Sequence, residues 1–441
     1  MSVRSLSVAP RQVTFASYGH ILTNTAIWSP DGQWIVYDVR SDPAGSVFDG
    51  TRIERVHIAS GHVEILFECH QGASCGVVTY HPTREEVVFI LGPERPTPDW
   101  HYSACHRRGV VVETKRPGRV HNLDARDLTP PFTPGALRGG SHVHVFSADG
   151  KFVSFTYEDH VLEEVAGKED AERNQRNVGV SLVGKPVNVP KTHPRNHDGT
   201  AYSVLVTKTV NHPPPGSDEI SRAYEDAWVG THGYLRADGS RQIHALAFLG
   251  EVLNDQQCLI TELFIVDLPD DISAADIKPL TGTATRRPAP PLGTAQRRIT
   301  FTADRQYPGI QGPRHWPRSS ANGSRIALLI RDNAGHVQLW TISPLGTELR
   351  QITRYPFDVA SAFSWHPDNK HMTHLADGSV WIVNTDTDDS QRLTAPAASS
   401  SLPRPEACVF SPDGSQIAYL QPVVRDGATW NQIFVVDSGL T

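Results

Sequence analysis

The 441-residue chain is 39% hydrophobic and 20% charged, with a formal net charge of −7. That composition suits a soluble globular protein and gives no general attraction to nucleic acid or an anionic membrane. A single compact core is excluded, because cores stop growing near ~250–300 residues, whereas a repeat array is not.

In chain order, MSVRSLSVAPRQVTF lacks the apolar stretch of a secretory leader. No later apolar run approaches the roughly 20 residues that span a bilayer. The five cysteines are scattered and do not form a disulfide framework. Together these predict a cytoplasmic protein. Arg11–Phe15 (RQVTF) reads as an isolated strand. A turn between two apolar alternating segments then recurs seven times. It opens at Trp28 (WSPDGQWIVY), Tyr80 (YHPTREEVVFI), Phe146 (FSADGKFVSF) and Leu235 (LRADGSRQIHALAF). It returns at Ser319 (SSANGSRIALLI), Trp365 (WHPDNKHMTHL) and Phe410 (FSPDGSQIAYL). Each copy is a β-hairpin signature. Segments such as RIERVHIASG, VQLWTISPLG and NQIFVVDSGL supply a third strand, and RRITF, RQITR and QRLTA a fourth.

Seven four-stranded antiparallel units arranged radially predict an all-β fold, a seven-bladed β-propeller, over 1–441 as one domain. Only three strands follow Pro403, so RQVTF is predicted to complete the last blade beside Ile433 and close the ring. Closure also shields edges that would otherwise pair with other chains.

GGSHVHVFSADG places His142 and His144 at the start of the inner strand of blade 3. Strand alternation predicts that both face the channel mouth, with Cα atoms about 7 Å apart. Such a pair can hold an ion at ~2.0–2.2 Å, transfer protons, or bond water. The connections between second and third strands share that face and are long in blades 1 to 3 (RSDPAGSVFDGTR, GPERPTPDWHYSACHRRG, EDHVLEEVAGKEDAERNQRNVG). His315 has the register of His142. His232 is placed ahead of the inner strand of blade 4, and His20 and His70 in the lead-ins to blades 1 and 2. A divalent ion is expected on His142 and His144 with His232 or His315. Arg52, Arg107, Arg108, Arg138, Arg176, Arg222 and Arg314 lie in or beside these loops, where guanidinium groups pair with carboxylates. Trp100, Tyr102, Tyr224, Trp228 and Trp316 stack on sugar rings or pack between blades. YEDH (Tyr157–His160) and YEDAW (Tyr224–Trp228) supply acids near the mouth or solvated loop ends.

The SPDG turns with LT- or IT-type fourth strands resemble the TolB-like propellers. PFTPGALRGGSHVHVFSADG, RNVGV, PGSDEI and GIQGPRHWPRSS resemble uncharacterised bacterial TolB-like, biopolymer-transporter-like proteins of unknown function. The chain is also similar to oligogalacturonate lyase, a cytoplasmic seven-bladed propeller whose divalent ion, typically manganese, is held by three histidines and a glutamine. His142 and His144 match the H-x-H of that family, while Gly139 stands where its glutamine would be.

The resemblance implies β-elimination on a small acidic saccharide. Manganese, or else calcium or zinc, would act as Lewis acid. The base would come from His20, His70 or His315, with Arg52, Arg107, Arg138, Arg222, Arg314 and Trp316 on the substrate. The alternative is a non-catalytic propeller that binds a protein partner or ligand on the looped face. Neither reading involves nucleic acid or a membrane.

Overall fold

The computed structural model describes residues 3–5, 8–42 and 45–440. Seven antiparallel sheets stand around a channel. Their inner strands are Gly19–Ile21, Cys75–Tyr80, Gly139–Phe146, Arg222–Trp228, Arg318–Ser319, Ser364–Trp365 and Cys408–Phe410. The sheet of blade 7 takes its outer strand from Arg11–Gln12, in register with Val435 and Phe434. The Val13 N–H continues the seam to the Ile433 carbonyl at 2.9 Å. The expected closure is therefore present, although the regular pairing stops before Phe15. A further strand, Val3–Ser5, joins the rim of blade 6 in parallel.

The recurring turn works by chemistry local to each copy. The hydroxyl of Ser29 donates to Asp31 at 2.5 Å and accepts the Trp34 N–H at 2.9 Å. Ser147 and Ser411 repeat this with Asp149 and Asp413. A glycine follows with φ near +70°, as at Gly32 and Gly150, where a side chain would be strained. In blades 2 and 6, His81 and His366 replace the serine. Each ring Nδ1 accepts turn N–H groups. Each Nε2 side lies against the turn glycine of the next blade, where an added Cβ would stand 2.5 Å away at Gly150 and 2.0 Å away at Gly414.

The cores lie between blades. One apolar cluster joins each neighbouring pair, and the seventh joins blade 7 (Val409, Ala418, Ile433) to blade 1 (Ile27, Ile35, Val56) with Val13 among them. This arrangement lets 441 residues fold without one oversized core.

Blade 4 departs from the expectation. LRADGSRQ does not join its inner and second strands directly but closes an inserted hairpin, Tyr234–Leu235 with Arg241–Gln242. The inner strand is Arg222–Trp228, which contains YEDAW, and the second begins at Ala245, where the apolar run ALAFL is buried. His232 therefore follows the inner strand instead of preceding it.

Candidate functional site

A cavity of about 240 Å³ occupies one end of the channel. Asn24, Arg40 and Phe48 of blade 1 line it, with His142 of blade 3, Arg314 and Trp316 leading into blade 5, and Glu406 leading into blade 7. The volume is below the ~300–1,000 Å³ of drug-sized sites, which favours a ligand of monosaccharide size over a long chain.

The inner strands deliver side chains to this cavity through a repeated bulge. Val77, Val143 and Glu225 have φ of +58°, +56° and +55°, and the ladder slips at each. Each stands three residues before the aromatic residue that precedes the turn (Tyr80, Phe146, Trp228). A bulge inserts one unpaired residue and breaks the two-residue alternation. His142 and His144 consequently do not share a face. His142 lines the cavity, with Nδ1 3.4 Å from Thr156 Oγ1. His144 is fully buried between blades 2 and 3, with Nε2 3.9 Å from Asp124 Oδ1 and packed against Gly109.

The expected metal set is not assembled. His144 is turned inward. His232 is exposed on the opposite face, where the neighbouring Thr231 N–H donates to Ala321 in the turn of blade 5. Only His142 and His315 remain at the mouth, and guanidinium groups surround His142, so these residues do not fit a resident divalent ion. Among the described residues, one group of three has ligating atoms within 4.8 Å of one another: His366, Asp368 and His371. It belongs to the turn of blade 6 on the opposite face. Asp368 Oδ1 accepts the N–H groups of Lys370 and His371, and Oδ2 pairs with His371 Nδ1 at 2.6 Å, so the turn already uses these atoms.

Guanidinium groups fill the place expected of the ion. Arg40 pairs with buried Asp38 at 2.7 Å and lies over the Phe48 ring, while its buried Nε has no partner among the described residues. Arg107 is buried with an unpartnered Nε and lies 6.0 Å from the Tyr102 ring, which itself stacks on Phe48. Burial, followed by the charges of Arg107, Arg176 and Arg40, holds the His142 imidazole well below its ordinary pKa. It is therefore neutral at neutral pH, with an unprotonated ring nitrogen.

Carboxyl groups face the arginines. Glu406 lines the cavity 3.7 Å from Arg314, and burial raises its pKa. Glu225 lies 3.7 Å from His315 Nε2 and is also raised by burial. The His315 Nδ1 lies 2.7 Å from the Gly312 carbonyl, which makes Nδ1 the donor and turns the Nε2 edge toward Glu225. One residue past the Glu225 bulge, burial pushes Asp226 up to about 6, beside Ser154 of blade 3. One short segment, Arg314 to Arg318, thus brings a cation and an indole to the mouth, with the imidazole of His315 turned to Glu225 and a second cation behind.

Several expected site residues serve elsewhere. His20 is fully buried between Tyr18 and Tyr37, bonded to the Asn431 carbonyl at 2.8 Å, with its pKa pushed down to about 4. Because it has no path to the mouth, it is corrected from base to packing residue. His70 is exposed outside the cavity. Arg52 pairs with Glu54 and covers Tyr18. Arg138 is an internal strut, fully buried on Asp159 and the carbonyls of Thr283 and Arg286. Arg222 pairs with Glu251 and covers Tyr224, and Arg176 pairs with Glu158. Trp228 donates to the Val145 carbonyl between blades. His160 of YEDH begins a short helix, His160–Glu164, capped by Asp159.

Arg40, Asn24 and Glu406 were not singled out from the sequence. Arg40 stands at the start of the long blade 1 loop, the one signal that could have found it.

A family model described as protein of unknown function (DUF3748) matches residues 74–197. The uncharacterized protein YidR of Escherichia coli (strain K12) is 49% identical over 417 residues, covering 94% of this chain and 95% of that one. Among solved structures, oligogalacturonate lyase in complex with manganese covers 98% of this chain and 96% of its own, with a TM-score of 0.54 and 12% identity. A puromycin hydrolase mutant covers 98% of this chain with a TM-score of 0.54 and 11% identity, and this chain spans about half its length, 55%. At such identities the two structures show the fold alone. No helix among the described residues is long and apolar enough to cross a membrane.

Proposed function

The chain belongs to the family of the uncharacterized protein YidR, and from that premise we propose that its channel mouth binds a short uronate-containing saccharide and cleaves it by β-elimination. The observation that carries this reading is the pair of buried guanidinium groups, Arg40 and Arg107, with unpartnered Nε atoms beside a neutral His142. A buried N–H without an acceptor is costly, and a ligand carboxylate relieves that cost.

In the proposed reaction the arginines neutralise the carboxylate and so acidify the C5 hydrogen. His142 takes that proton. The released electron pair forms the C4–C5 double bond as the C4–O bond breaks, and the leaving oxygen takes up a proton, with Glu406, whose pKa burial raises, as the acid beside it. Trp316 offers a face for the sugar ring. No step needs the metal that the resemblance implies. The substrate would be an imported fragment and the setting cytoplasmic.

The failure of the metal set to assemble favours a second reading, a non-catalytic module that binds a small acid or a protein partner on the looped face. The test is ultraviolet absorbance of the conjugated product over a panel of uronate oligosaccharides, with ligand binding measured in parallel. Turnover in the wild type and a loss of at least ~30-fold in kcat/KM in Arg107→Gln are expected, the size of truncating one side of a buried charge pair. Saturable binding with no unsaturated product from any member would exclude the lyase and leave the binding module.

A further inference from the structure

A second cavity, of about 170 Å³, lies between blades 2 and 3 and shares no lining residue with the mouth. Arg108, Arg126 and Arg195 all line it. Arg108 is matched by Glu94 in a two-pronged pair at 2.7 and 2.9 Å. Among the described residues, neither Arg126 nor Arg195 forms a salt bridge. Their N–H groups go to backbone carbonyls: Arg126 to Gly139, His106 and Arg107, and Arg195 to Glu94 at 2.9 Å and Arg95 at 3.0 Å.

A carbonyl is a dipole and does not cancel a full charge. Both guanidinium groups nevertheless sit 5.5 Å from the centroid of the same Trp100 ring. Burial brings the Arg126 pKa down to about 10; Asp124 opposes that shift, and Arg108 and Arg195 add to it. Three guanidinium groups meet two carboxylates, Glu94, which feels both Arg108 and Arg195, and Asp124 beside Arg126, so the site keeps one positive charge in excess. At the buried Arg126 an unbalanced charge costs several kcal/mol.

A third group narrows the chemistry. His197 lines the cavity with a buried Nε2 that has no partner. Its Nδ1 is 3.3 Å from the Arg195 carbonyl, which makes Nδ1 the donor and leaves Nε2 as an acceptor. The cavity therefore offers fixed positive charge together with one hydrogen-bond acceptor.

We infer that this cavity binds a phosphate group, free or as the monoanion of a small monoester, with Arg126 and Arg195 on its charged oxygens and His197 accepting the proton of the hydroxyl oxygen. Sulfate and carboxylate carry the charge but no proton at neutral pH. The volume, just under six water shares of ~30 Å³ each, admits a phosphate with a short stem and excludes a polymer. Arginine in a rigid fork suits the phosphate oxygens. The inference is independent of what the mouth binds.

Calorimetric titration of the full chain tests it, with inorganic phosphate, glycerol phosphate and sulfate as probes. One saturable phosphate site is expected, at least tenfold tighter than for sulfate. Arg195→Gln should weaken phosphate at least tenfold, and Arg314→Gln at the mouth should leave it unchanged. His197→Phe should narrow the ratio of phosphate to sulfate affinity, which keeps the test decisive if Arg195→Gln does not fold. A monoester that binds tighter than inorganic phosphate identifies a phosphorylated small molecule as the ligand, and the reverse order identifies free phosphate. The inference is overturned if the wild type binds no phosphate, if neither variant alters that binding, or if Arg314→Gln abolishes it.

Discussion

Deleting residues 1–15 removes the strand that closes the ring, and the seam lets the cost be worked out. The lost contacts are the Arg11–Gln12 ladder to Val435 and Phe434 and the Val13 N–H to Ile433 at 2.9 Å. The Ile433 N–H to Thr14 Oγ1 at 2.9 Å and the Arg11 guanidinium to the Ile58 carbonyl at 2.6 Å are lost with them. At a net value of about 1 kcal/mol per hydrogen bond, the ladder and these three bonds contribute about 4–5 kcal/mol. Val13, 1% exposed in the core between blades 7 and 1, adds about 1.5–3 kcal/mol. The sum is a large part of the 5–15 kcal/mol that holds typical domains folded. In urea denaturation followed by tryptophan fluorescence, the truncated chain should unfold at a much lower midpoint or before any denaturant is added. Because the deletion also takes Val3–Ser5 from blade 6, Val13→Asp provides the cleaner perturbation and should reproduce most of the loss. Midpoints unchanged in both variants would refute the seam as the closure of the ring.

Three further outcomes follow from the site. Asp226 has a folded pKa of about 6 against an ordinary 3.8, so the folded state binds this proton more tightly and stability falls as pH rises through that window. Asp226→Asn should therefore be more stable by about 3 kcal/mol at pH 7, with the advantage gone below pH 4, as read by denaturation midpoints across pH. Val143 is buried at φ +56°, where a β-branched residue is strained by roughly 1–3 kcal/mol. Val143→Gly should thus be more stable than Val143→Ala, the reverse of ordinary strand behaviour; equal or inverted stabilities would count against the bulge. Chelation should change neither melting temperature nor turnover, and elemental analysis should find no stoichiometric metal that depends on His142. A stoichiometric ion lost in His142→Ala would restore the metal site that the resemblance implies.

The repeat was legible because its cause is local. A serine hydroxyl, an aspartate two residues on and a glycine beside it make a turn with no help from distant residues, as Ser29, Asp31 and Gly32 do. Alternating apolar residues around each turn then specify paired strands, and three strands after Pro403 with a stray one at Arg11 specify closure. Blade 4 was misframed because LRADGS is a competent turn wherever it stands, and only pairing with Arg222–Trp228 chooses Ala245 as the start of the second strand.

Part of the mouth was legible too. His142, Arg314 and Trp316 line it where a strand start or a lead-in segment places them, and Arg107 of the long blade 2 loop is buried behind, its charge felt at His142. The direction of His144 was not legible, because it depends on a bulge at Val143 that valine does not advertise. The same limit explains Arg138, whose place against Asp159 and the Thr283 carbonyl joins segments far apart in the chain. By itself, then, the sequence determined the number of blades, the turns of every blade but the fourth and the face that carries the loops, since each follows from interactions within a few residues. Tertiary structure alone decided which side chains meet. A single unpaired residue in an inner strand reverses every direction beyond it, and a buried cation is held by whichever distant carboxylate or carbonyl the packed blades bring to it.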